Sequence, residues 1–212
     1  CVRSQTGYAN PPGNFPSEST AQGVLRGIEA LLEFRDEPLH SALVQGVGRV
    51  GSLVAAGLAE HTRGLAISDA VPAAIEATLS ELKHGATVIS PDSALTHPCT
   101  LLSPCAVGPV VTMANVASLP VNMICGSANN QLALPILADR LHTRGVIYIP
   151  DVVVNAGAVI EGVLTLLQPG DDVRERIDAK INAIKPRVKS ILAESTARNC
   201  APVRVAGGHA VT

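Results

Sequence analysis

The sequence contains very few aromatic residues and no tryptophan. Two tyrosines and two phenylalanines occur among 212 residues (Tyr8, Phe15, Phe34 and Tyr148). Single-stranded nucleic acids are bound by stacking their bases on aromatic side chains, and this sequence offers no such surface. The 16 Lys and Arg residues are scattered and the formal net charge is -2, so a basic stripe for phosphates is also missing. Nucleic acid is therefore not expected as a partner.

Long uncharged apolar runs are missing as well. The most apolar stretch, Gly145 to Leu167, is interrupted by Pro150, Asp151, Asn155 and Glu161. A membrane-spanning helix needs about 20 predominantly apolar residues, and charged groups inside it are costly. The sequence therefore predicts no membrane span.

Cysteines are few and follow no metal-binding spacing. The five cysteines include no CxxC pair, and His97, beside Pro98 and Cys99, lacks the second ligand pair of a zinc site. We therefore expect no metal, free and mostly buried thiols, and a reduced, cytoplasmic environment. The first residues, CVRSQTGYANPPGNFP, contain neither an apolar signal segment nor an initiator methionine. A trimmed, a processed and an incomplete chain all remain open on this observation.

The apolar content, 47%, is enough for one substantial core, so a single domain over residues 1–212 is expected. From Ala42 onward, short apolar runs, glycine or polar turns and helical stretches alternate, which is typical of βαβ units. The pattern predicts a Rossmann-type α/β fold with a doubly wound, mostly parallel sheet. The predicted strands are Ala42–Gln45, Leu65–Ser68, Thr87–Ile89, Thr100–Leu102, Val121–Cys125 and Val146–Ile149.

Helical spacing predicts elements before and after these strands. A loop over residues 1–16 leads into a helix capped by Ser17 or Ser19. After the last strand, one apolar helix is predicted over Val153–Leu167 and a second over Asp172–Ala197. Residues 171–212 thus form a C-terminal helix and a glycine-rich tail, which is expected to fray from Cys200.

The clearest local motif is the glycine pattern of residues 46–51, GVGRVG, which follows a strand and opens a helix. Gly46 permits the tight turn, Gly48 lets the backbone approach a pyrophosphate, and Gly51 lets the helix pack on the strand. Val47, Arg49 and Val50, between the glycines, belong to the same predicted site. A glycine pattern alone is weak evidence in a chain with 18 glycines.

An acidic residue at the end of the second strand strengthens this interpretation. Asp69 follows Gly51 by 69 - 51 = 18 residues, where a carboxylate binds the hydroxyls of the adenosine ribose. The same carboxylate would repel a 2′-phosphate. The pair of motifs predicts a dinucleotide site that takes NAD rather than NADP.

Several later motifs resemble one family. They are STAQGVLRG (19–27), QGVGRVG (45–51), PCAVG (104–108), GSANNQL (126–132) and PDVVVNAGAVIEG (150–162). In order and spacing they resemble the cofactor domain of the leucine, phenylalanine, valine and glutamate dehydrogenases. Pro109 and Ala158 depart from the pattern, because the family usually has glycine at both positions. The resemblance covers roughly Gly7 to the C-terminus.

The resemblance implies roles for individual residues. Thr20, Ala128 and Asn129 would lie near the nicotinamide and its ribose, Ala106 in the cofactor site, and Asn155 beside nicotinamide and substrate. In an open parallel sheet, ligands bind outside the carboxyl ends of the strands, where these segments are predicted. From the residues alone, Asn129 and Asn130 could equally form a turn held by side-chain to backbone bonds. Asn155 is the one substrate-facing candidate for a catalytic role.

Groups for proton transfer are scarce. Resemblance to the family implies catalytic lysines and an aspartate in a preceding domain, which is absent from this sequence. Lys83 is predicted at the sheet edge opposite the cofactor, and three lysines on the C-terminal helix are expected to be solvated (Lys180, Lys185 and Lys189). Three histidines are expected at the surface (His61, His84 and His209). The general base is therefore not identifiable from sequence.

Three functions remain open at this point. The first is a truncated amino-acid-dehydrogenase-like enzyme that acts with NAD on an amine, imine or amino-acid-like small molecule, with a rebuilt active site that subunits of a homo-oligomer would cover. The second is a non-redox cyclase, lyase or hydrolase on the same fold. The third is an NAD-binding subunit whose catalytic domain is a separate chain. Fold analogy cannot choose among them, because function belongs to the site.

Overall fold

The computed structural model describes residues 15–208 as a six-stranded parallel sheet with helices on both faces. The strands are β1 (Ser41–Gln45), β2 (Gly64–Ser68), β3 (Thr87–Val88), β4 (Cys99–Pro104), β5 (Val121–Ile124) and β6 (Ile147–Tyr148). The helices are α1 (Phe15–Arg35), α2 (Arg49–Ala59), α3 (Pro72–Glu81), α4 (Pro91–Ala94), α5 (Leu137–Thr143), α6 (Asp151–Val154), α7 (Gly157–Leu167), α8 (Val173–Asn182), α9 (Ile184–Arg198) and α10 (Pro202–Gly208).

The strand order is β3-β2-β1-β4-β5-β6, and every pairing is parallel. The chain runs outward from β1 to β3, then returns to the other side of β1 and runs outward again from β4 to β6. This order confirms the predicted doubly wound Rossmann-type fold, and all six predicted strands are present. The order reverses between β1 and β4, and such a reversal opens a crevice at the carboxyl ends of the two strands.

The strands are apolar on both faces because each face carries its own layer of helices. On β1, Val44 belongs to the core formed with α1, α2 and α9, whereas its neighbour Leu43 belongs to the core formed with α5. Ile67 and Ala66 divide in the same way on β2. Alternate residues of a strand point to opposite faces, so nearly continuous apolar runs identify strands that are covered on both sides.

Two predicted helices are each divided in the structure, so the prediction of single helices was wrong. The expected helix over Val153–Leu167 is two helices, α6 and α7, separated at Asn155 and Ala156. The expected helix over Asp172–Ala197 is likewise divided into α8 and α9 by a turn at Ala183. The first division places the partly exposed Asn155 between two helix ends.

The two ends of the described region also differ from expectation. Ser17 and Ser19 do not cap α1 but lie inside it, since the helix begins at Phe15. The rest of the predicted loop over residues 1–16 lies outside the described residues, as do His209 and the last residues of the tail. Within the tail expected to fray, residues 202–208 form α10, with Val205 and Ala206 buried.

The packing of α7 against α1 depends on Gly157. A Cβ atom at this position would lie 2.0 Å from the backbone oxygen of Ser19 and 2.5 Å from the backbone nitrogen of Thr20. Gly157→Ala should therefore lower the free energy of unfolding by about 3 kcal/mol, because two backbones would have to separate. Urea unfolding followed by circular dichroism measures this change.

Gly162, on the same helix, provides the matched control. A Cβ atom there would meet nothing within 4 Å. Gly162→Ala should raise the free energy of unfolding by up to about 1 kcal/mol, because alanine favours the helix over glycine. Equal effects of the two substitutions would contradict the close approach of α1 and α7.

Membrane insertion finds no support among the described residues. No helix within residues 15–208 is long and apolar enough to cross a bilayer.

Candidate functional site

A cleft of about 650 Å³ lies where the strand order reverses. We call it the main cleft. It is lined by the segments that follow β1, β4 and β5 and by Ser17 of α1. The lining residues are Ser17, Gly48, Arg49, Val50, Gly51, Cys105, Ala106, Val107, Gly108, Pro109, Ser127, Ala128, Asn129 and Asn130.

The three glycines of the loop after β1 differ in their surroundings. Gly46 has a φ of +89°, and a Cβ atom there would lie 2.5 Å from the backbone nitrogen of Ala106. A Cβ atom at Gly51 would lie 1.9 Å from the backbone oxygen of Gly46. At Gly48, by contrast, a Cβ atom would meet nothing within 4 Å. The fold thus requires glycine at positions 46 and 51. At Gly48, by contrast, the space that a side chain would occupy is part of the empty main cleft.

The N-terminus of α2 faces this open space. Gly48 is the N-cap and has no side chain to accept a hydrogen bond, and Arg49, Val50 and Gly51 of the first turn all line the main cleft. The first N–H groups of a helix have no partner within the helix, and the helix dipole places partial positive charge there. This end of α2 can therefore bind an anionic group such as a pyrophosphate.

Asp69, just after β2, is fixed by two backbone groups. The N–H of Val47 donates to Asp69 Oδ2 and the N–H of Val71 donates to Oδ1, each at 2.8 Å. Asp69 is partly buried and does not line the main cleft itself. Because each carboxylate oxygen has more than one lone pair, both can still accept a bond from a hydroxyl group. The carboxylate is thus held beside the glycine loop with acceptor capacity to spare.

A set of polar contacts joins the loop after β5 to the turn between α6 and α7. Asn155 Nδ2 donates to Asn129 Oδ1 at 2.8 Å, and the N–H of Asn130 donates to Asp151 Oδ2 at 2.6 Å. The buried side chain of Gln131 donates to the backbone oxygens of Gly126 and Ala128. The turn at 129–130 is therefore held by its neighbours' side chains, and Asn129, which lines the cleft, is fixed by Asn155.

Tyr148, on β6, contacts Asp151, which belongs to the same set of polar contacts. Its hydroxyl lies 3.4 Å from Asp151 Oδ1. Burial raises the pKa of Tyr148, and the adjacent Asp151 carboxylate raises it further. The hydroxyl therefore stays protonated at neutral pH and donates to Asp151, which holds the carboxylate in place for Asn130.

Thr20 contacts the start of α7 and lies outside the lining of the main cleft. Its hydroxyl donates to the backbone oxygen of Pro16 at 2.8 Å and accepts from the N–H of Ala158 at 3.2 Å. Both bonds connect parts of the protein, so the observed contacts of Thr20 join α1 to the start of α7. Ala158, where the family usually has glycine, contributes one of them.

Cys105 lines the cleft without being suited to nucleophilic chemistry. Burial raises the pKa of the Cys105 thiol, and hydrogen bonding to Ser127 opposes this only in part. Since the thiolate is the reactive form, the thiol is inert at neutral pH. This agrees with the sequence analysis, which assigned Cys105 no catalytic role.

Of the residues expected from sequence, seven line the main cleft and five surround it. Those in the lining are Gly48, Arg49, Val50, Gly51, Ala106, Ala128 and Asn129. Gly46, Val47, Asp69, Thr20 and Asn155 lie behind it or at its end. Sequence reasoning did not include the other seven lining residues in the predicted site: Ser17, Cys105, Val107, Gly108, Pro109, Ser127 and Asn130. The fully exposed Val107 lies within the PCAVG motif, so that motif could have identified it.

None of the described lysines lines the main cleft. Lys83 pairs with Glu60 beyond the C-terminal end of α2, at the edge of the sheet opposite the cleft, as predicted. Lys185 and Lys189 were expected to be solvated, but they form ion pairs with Glu33 of α1. Lys189 is nevertheless exposed, as expected, and Lys185 is partly exposed; the pairs form because α9 packs along α1. Among residues 15–208, no group of histidine, cysteine and acidic side chains is arranged to hold a metal ion.

Comparison with known proteins identifies relatives that match most of this chain. A family model described as glutamate/leucine/phenylalanine/valine dehydrogenase matches residues 72–211. Leucine dehydrogenase of Geobacillus stearothermophilus is 32% identical over 182 residues, which cover 84% of this chain and 48% of the relative. L-tryptophan dehydrogenase of Nostoc punctiforme is 36% identical over 150 residues, covering 68% of this chain and 42% of the relative. The chain therefore spans about half the length of the curated relatives it matches.

Solved structures agree with this relationship. The crystal structure of L-tryptophan dehydrogenase from Nostoc punctiforme superimposes with a TM-score of 0.82 at 27% identity, over 90% of this chain and 58% of that one. A hetero-hexameric glutamate dehydrogenase from Thermus thermophilus has the same fold, with a TM-score of 0.66 at 18% identity. With its glycine loop, its polar turns after β5 and β6 and these matches, the chain belongs to the glutamate/leucine/phenylalanine/valine dehydrogenase family.

Proposed function

We propose that this chain binds NAD(H) in the main cleft and supports hydride exchange with the amine or imine carbon of an amino-acid-like substrate. The observation that carries the proposal is the open space before Gly48 at the N-terminus of α2, in a chain related to amino-acid dehydrogenases. When bound, the nicotinamide ring accepts or supplies the hydride. Because the relatives are amino-acid dehydrogenases, we expect a nicotinamide cofactor. Our choice of NAD over NADP is based on Asp69.

The residues present suit such a cofactor. The first turn of α2 would bind the pyrophosphate through its free N–H groups. Asp69 would accept hydrogen bonds from the adenosine ribose hydroxyls, since two backbone bonds already fix its orientation. Asn129, tied to Asn155, offers an amide at the other end of the cleft, where a carboxamide needs both a donor and an acceptor.

Proton transfer must come from elsewhere. The lining of the main cleft includes no aspartate, glutamate, histidine or lysine among the described residues, and its two ionisable side chains are Arg49 and Cys105. An arginine stays protonated and the Cys105 thiol is inert. We therefore propose that the general base, and with it part of the substrate site, is supplied by residues outside the described chain, from a further domain or a separate subunit.

Two measurements test the proposal directly. NADH should bind the purified chain with enhanced fluorescence of its reduced nicotinamide ring. A panel of amino acids and 2-oxo acids, with NAD and NADH respectively, then tests hydride transfer by absorbance at the NADH band. Absence of NADH binding would remove the proposed function, whatever the outcome of the substrate panel.

Asp69 should enforce the preference for NADH over NADPH. A carboxylate beside a 2′-phosphate is a like-charge pair, which is costly in a closed interface and partly screened at a partly buried site. We expect NADPH to bind at least about tenfold more weakly than NADH, a difference of about 1.4 kcal/mol. Fluorescence titration with both cofactors measures it.

Asp69→Asn tests the cause of that preference. The amide oxygen keeps an acceptor for one backbone N–H and removes the charge, so the ratio of the two affinities should fall toward one. If NADPH binds as well as NADH to the unaltered chain, the carboxylate does not face the ribose and the choice of NAD is wrong.

Asn155 should affect substrate chemistry more than cofactor affinity. Asn155→Ala removes an amide at the end of the cleft and releases Asn129, whereas the N-terminus of α2 and Asp69 are untouched. We expect any hydride transfer to fall about tenfold or more and NADH affinity to change less than threefold, roughly the effect of one hydrogen bond. Equal losses in both would show that Asn155 acts through the cofactor alone.

A further inference from the structure

A pocket of about 320 Å³ lies at the edge of the sheet opposite the main cleft, where β1 and β2 begin. We call it the edge pocket. Its walls come from the segments that precede β1 and β2 and from those that follow α2 and α3. Its volume is at the lower end of the range for small-molecule sites, roughly 300 to 1,000 Å³.

Basic side chains outnumber acidic ones in the edge pocket. Four basic residues line it, namely His40, His61, Arg63 and His84. Among the described residues its one acidic lining residue is Glu60, which already forms an ion pair with Lys83 at 3.4 Å. Within residues 15–208, none of the four basic side chains forms an ion pair or a hydrogen bond. Their N–H groups are therefore available to a ligand.

Two of the basic residues are brought together by close contact between the starts of β1 and β2. Thr62 Oγ1 donates to the backbone oxygen of His40 at 2.9 Å and accepts from the N–H of Gly64 at 3.0 Å. A Cβ atom at Gly64 would lie 2.5 Å from the same backbone oxygen of His40. The segments that carry His40 and Arg63 are thus fixed against each other, although they are distant in sequence.

The ends of α2 and α3 account for part of this positive charge without any ligand. His61 and His84 follow these helices, and positive side chains are favoured by the partial negative charge of a helix C-terminus. That explanation does not extend to His40 and Arg63, which precede strands. A purely structural role also predicts that no anion binds, so a binding measurement separates the two explanations.

We propose that the edge pocket binds a phosphate group, either free phosphate or that of a small phosphate ester, more tightly as its histidines gain protons. A phosphate group has three or more acceptor oxygens, which would accept hydrogen bonds from Arg63 and from protonated imidazoles together. Arginine stays protonated, whereas histidine gains its charge between about pH 8 and pH 5. Leu39 and Ala59, which also line the pocket, would contact the organic part of an ester.

Sulfate is the first probe, since it resembles a phosphate dianion but keeps its charge across this pH range. Any pH dependence of its binding therefore comes from the protein. Isothermal calorimetry at constant ionic strength should show saturable binding that is at least about tenfold tighter at about pH 5.5 than at about pH 8. One hydrogen bond between charged groups is enough for that factor.

The main cleft needs a separate control, because the N-terminus of α2 can also bind an anion. Sulfate is therefore titrated into the unaltered chain and into Gly48→Val, whose new side chain would extend into the main cleft and away from the edge pocket. The edge-pocket affinity should be the same in both. Loss of all sulfate binding in a folded Gly48→Val variant would assign the anion to the main cleft and overturn the proposal.

The remaining variants are made in the Gly48→Val background. Arg63→Gln should weaken sulfate about tenfold at both pH values, and His61→Gln should weaken it mainly at the lower one. Arg140→Gln is the matched control, since it removes an exposed charge from α5, on the other face of the sheet. It should leave the affinity unchanged, and melting temperatures should show that all variants are folded.

Two results would overturn the proposal at this stage. One is the absence of saturable sulfate binding at the lower pH, and the other is an affinity of Arg63→Gln equal to that of Arg140→Gln. A pH dependence that persists in full when His40, His61 and His84 are all replaced by glutamine would show that the histidines are not responsible for it.

Inorganic phosphate and ribose 5-phosphate distinguish the two sources of the phosphate group. Binding of the ester about tenfold more tightly than phosphate supports an ester whose organic part contacts Leu39 and Ala59. Equal affinity supports free phosphate as the ligand. Ribose, which lacks the charge, should not bind, and ribose that binds as tightly as its phosphate ester would contradict recognition of the phosphate group.

Discussion

Gly48→Val should abolish NADH binding while leaving the protein folded. A Cβ atom at Gly48 would meet no protein atom within 4 Å, so the valine side chain would extend into the main cleft, where the pyrophosphate must approach α2. Loss of two hydrogen bonds to a charged group, at about 1.5 kcal/mol each, corresponds to a loss of affinity of about a hundredfold. NADH fluorescence titration measures it.

Two further glycine variants separate blocking of the cleft from damage to the fold. Gly162→Val introduces the same side chain on α7, away from the cleft, and should leave NADH affinity unchanged. Gly51→Ala should instead lower the melting temperature, because its Cβ atom would lie 1.9 Å from the backbone oxygen of Gly46. Unchanged NADH affinity in a folded Gly48→Val variant would exclude the N-terminus of α2 as the pyrophosphate site.

The glycine loop could be predicted from sequence because its requirements are local. A positive φ at Gly46 and contacts of Gly51 with a residue five positions earlier follow from a strand, a tight turn and a helix in succession. The strands were predictable for a similar reason. Each is a short apolar run between turns, which is typical of strands covered on both faces.

The division at Asn155 was not predictable, because long-range contacts cause it. The apolar spacing of residues 153–167 favours one continuous helix. In the structure, Asn155 bonds to Asn129, and Gly157 lies against the backbone of Ser19, so the chain must turn between α6 and α7. These partners are distant in sequence, and helical periodicity contains no information about them.

Residues 1–212 alone should deaminate amino acids poorly while binding NADH normally. Within residues 15–208, no general base lines the main cleft, and Lys83, Lys185 and Lys189 are occupied by ion pairs away from it. General acid-base catalysis contributes about 10²- to 10⁴-fold to a rate, so kcat should fall below that of a complete leucine dehydrogenase by about this factor. Reduction of NAD with leucine, phenylalanine and tryptophan measures it.

The control is a measurement of NADH affinity on the same protein. It distinguishes two causes of a low kcat, which are the lack of a general base and the lack of a cofactor site. Normal NADH binding with low kcat supports a base supplied from outside these residues, and added methylamine, as an external proton acceptor, should then restore part of the rate. Turnover comparable to a complete leucine dehydrogenase would show that a base lies within these residues and that the proposed division of the active site is wrong.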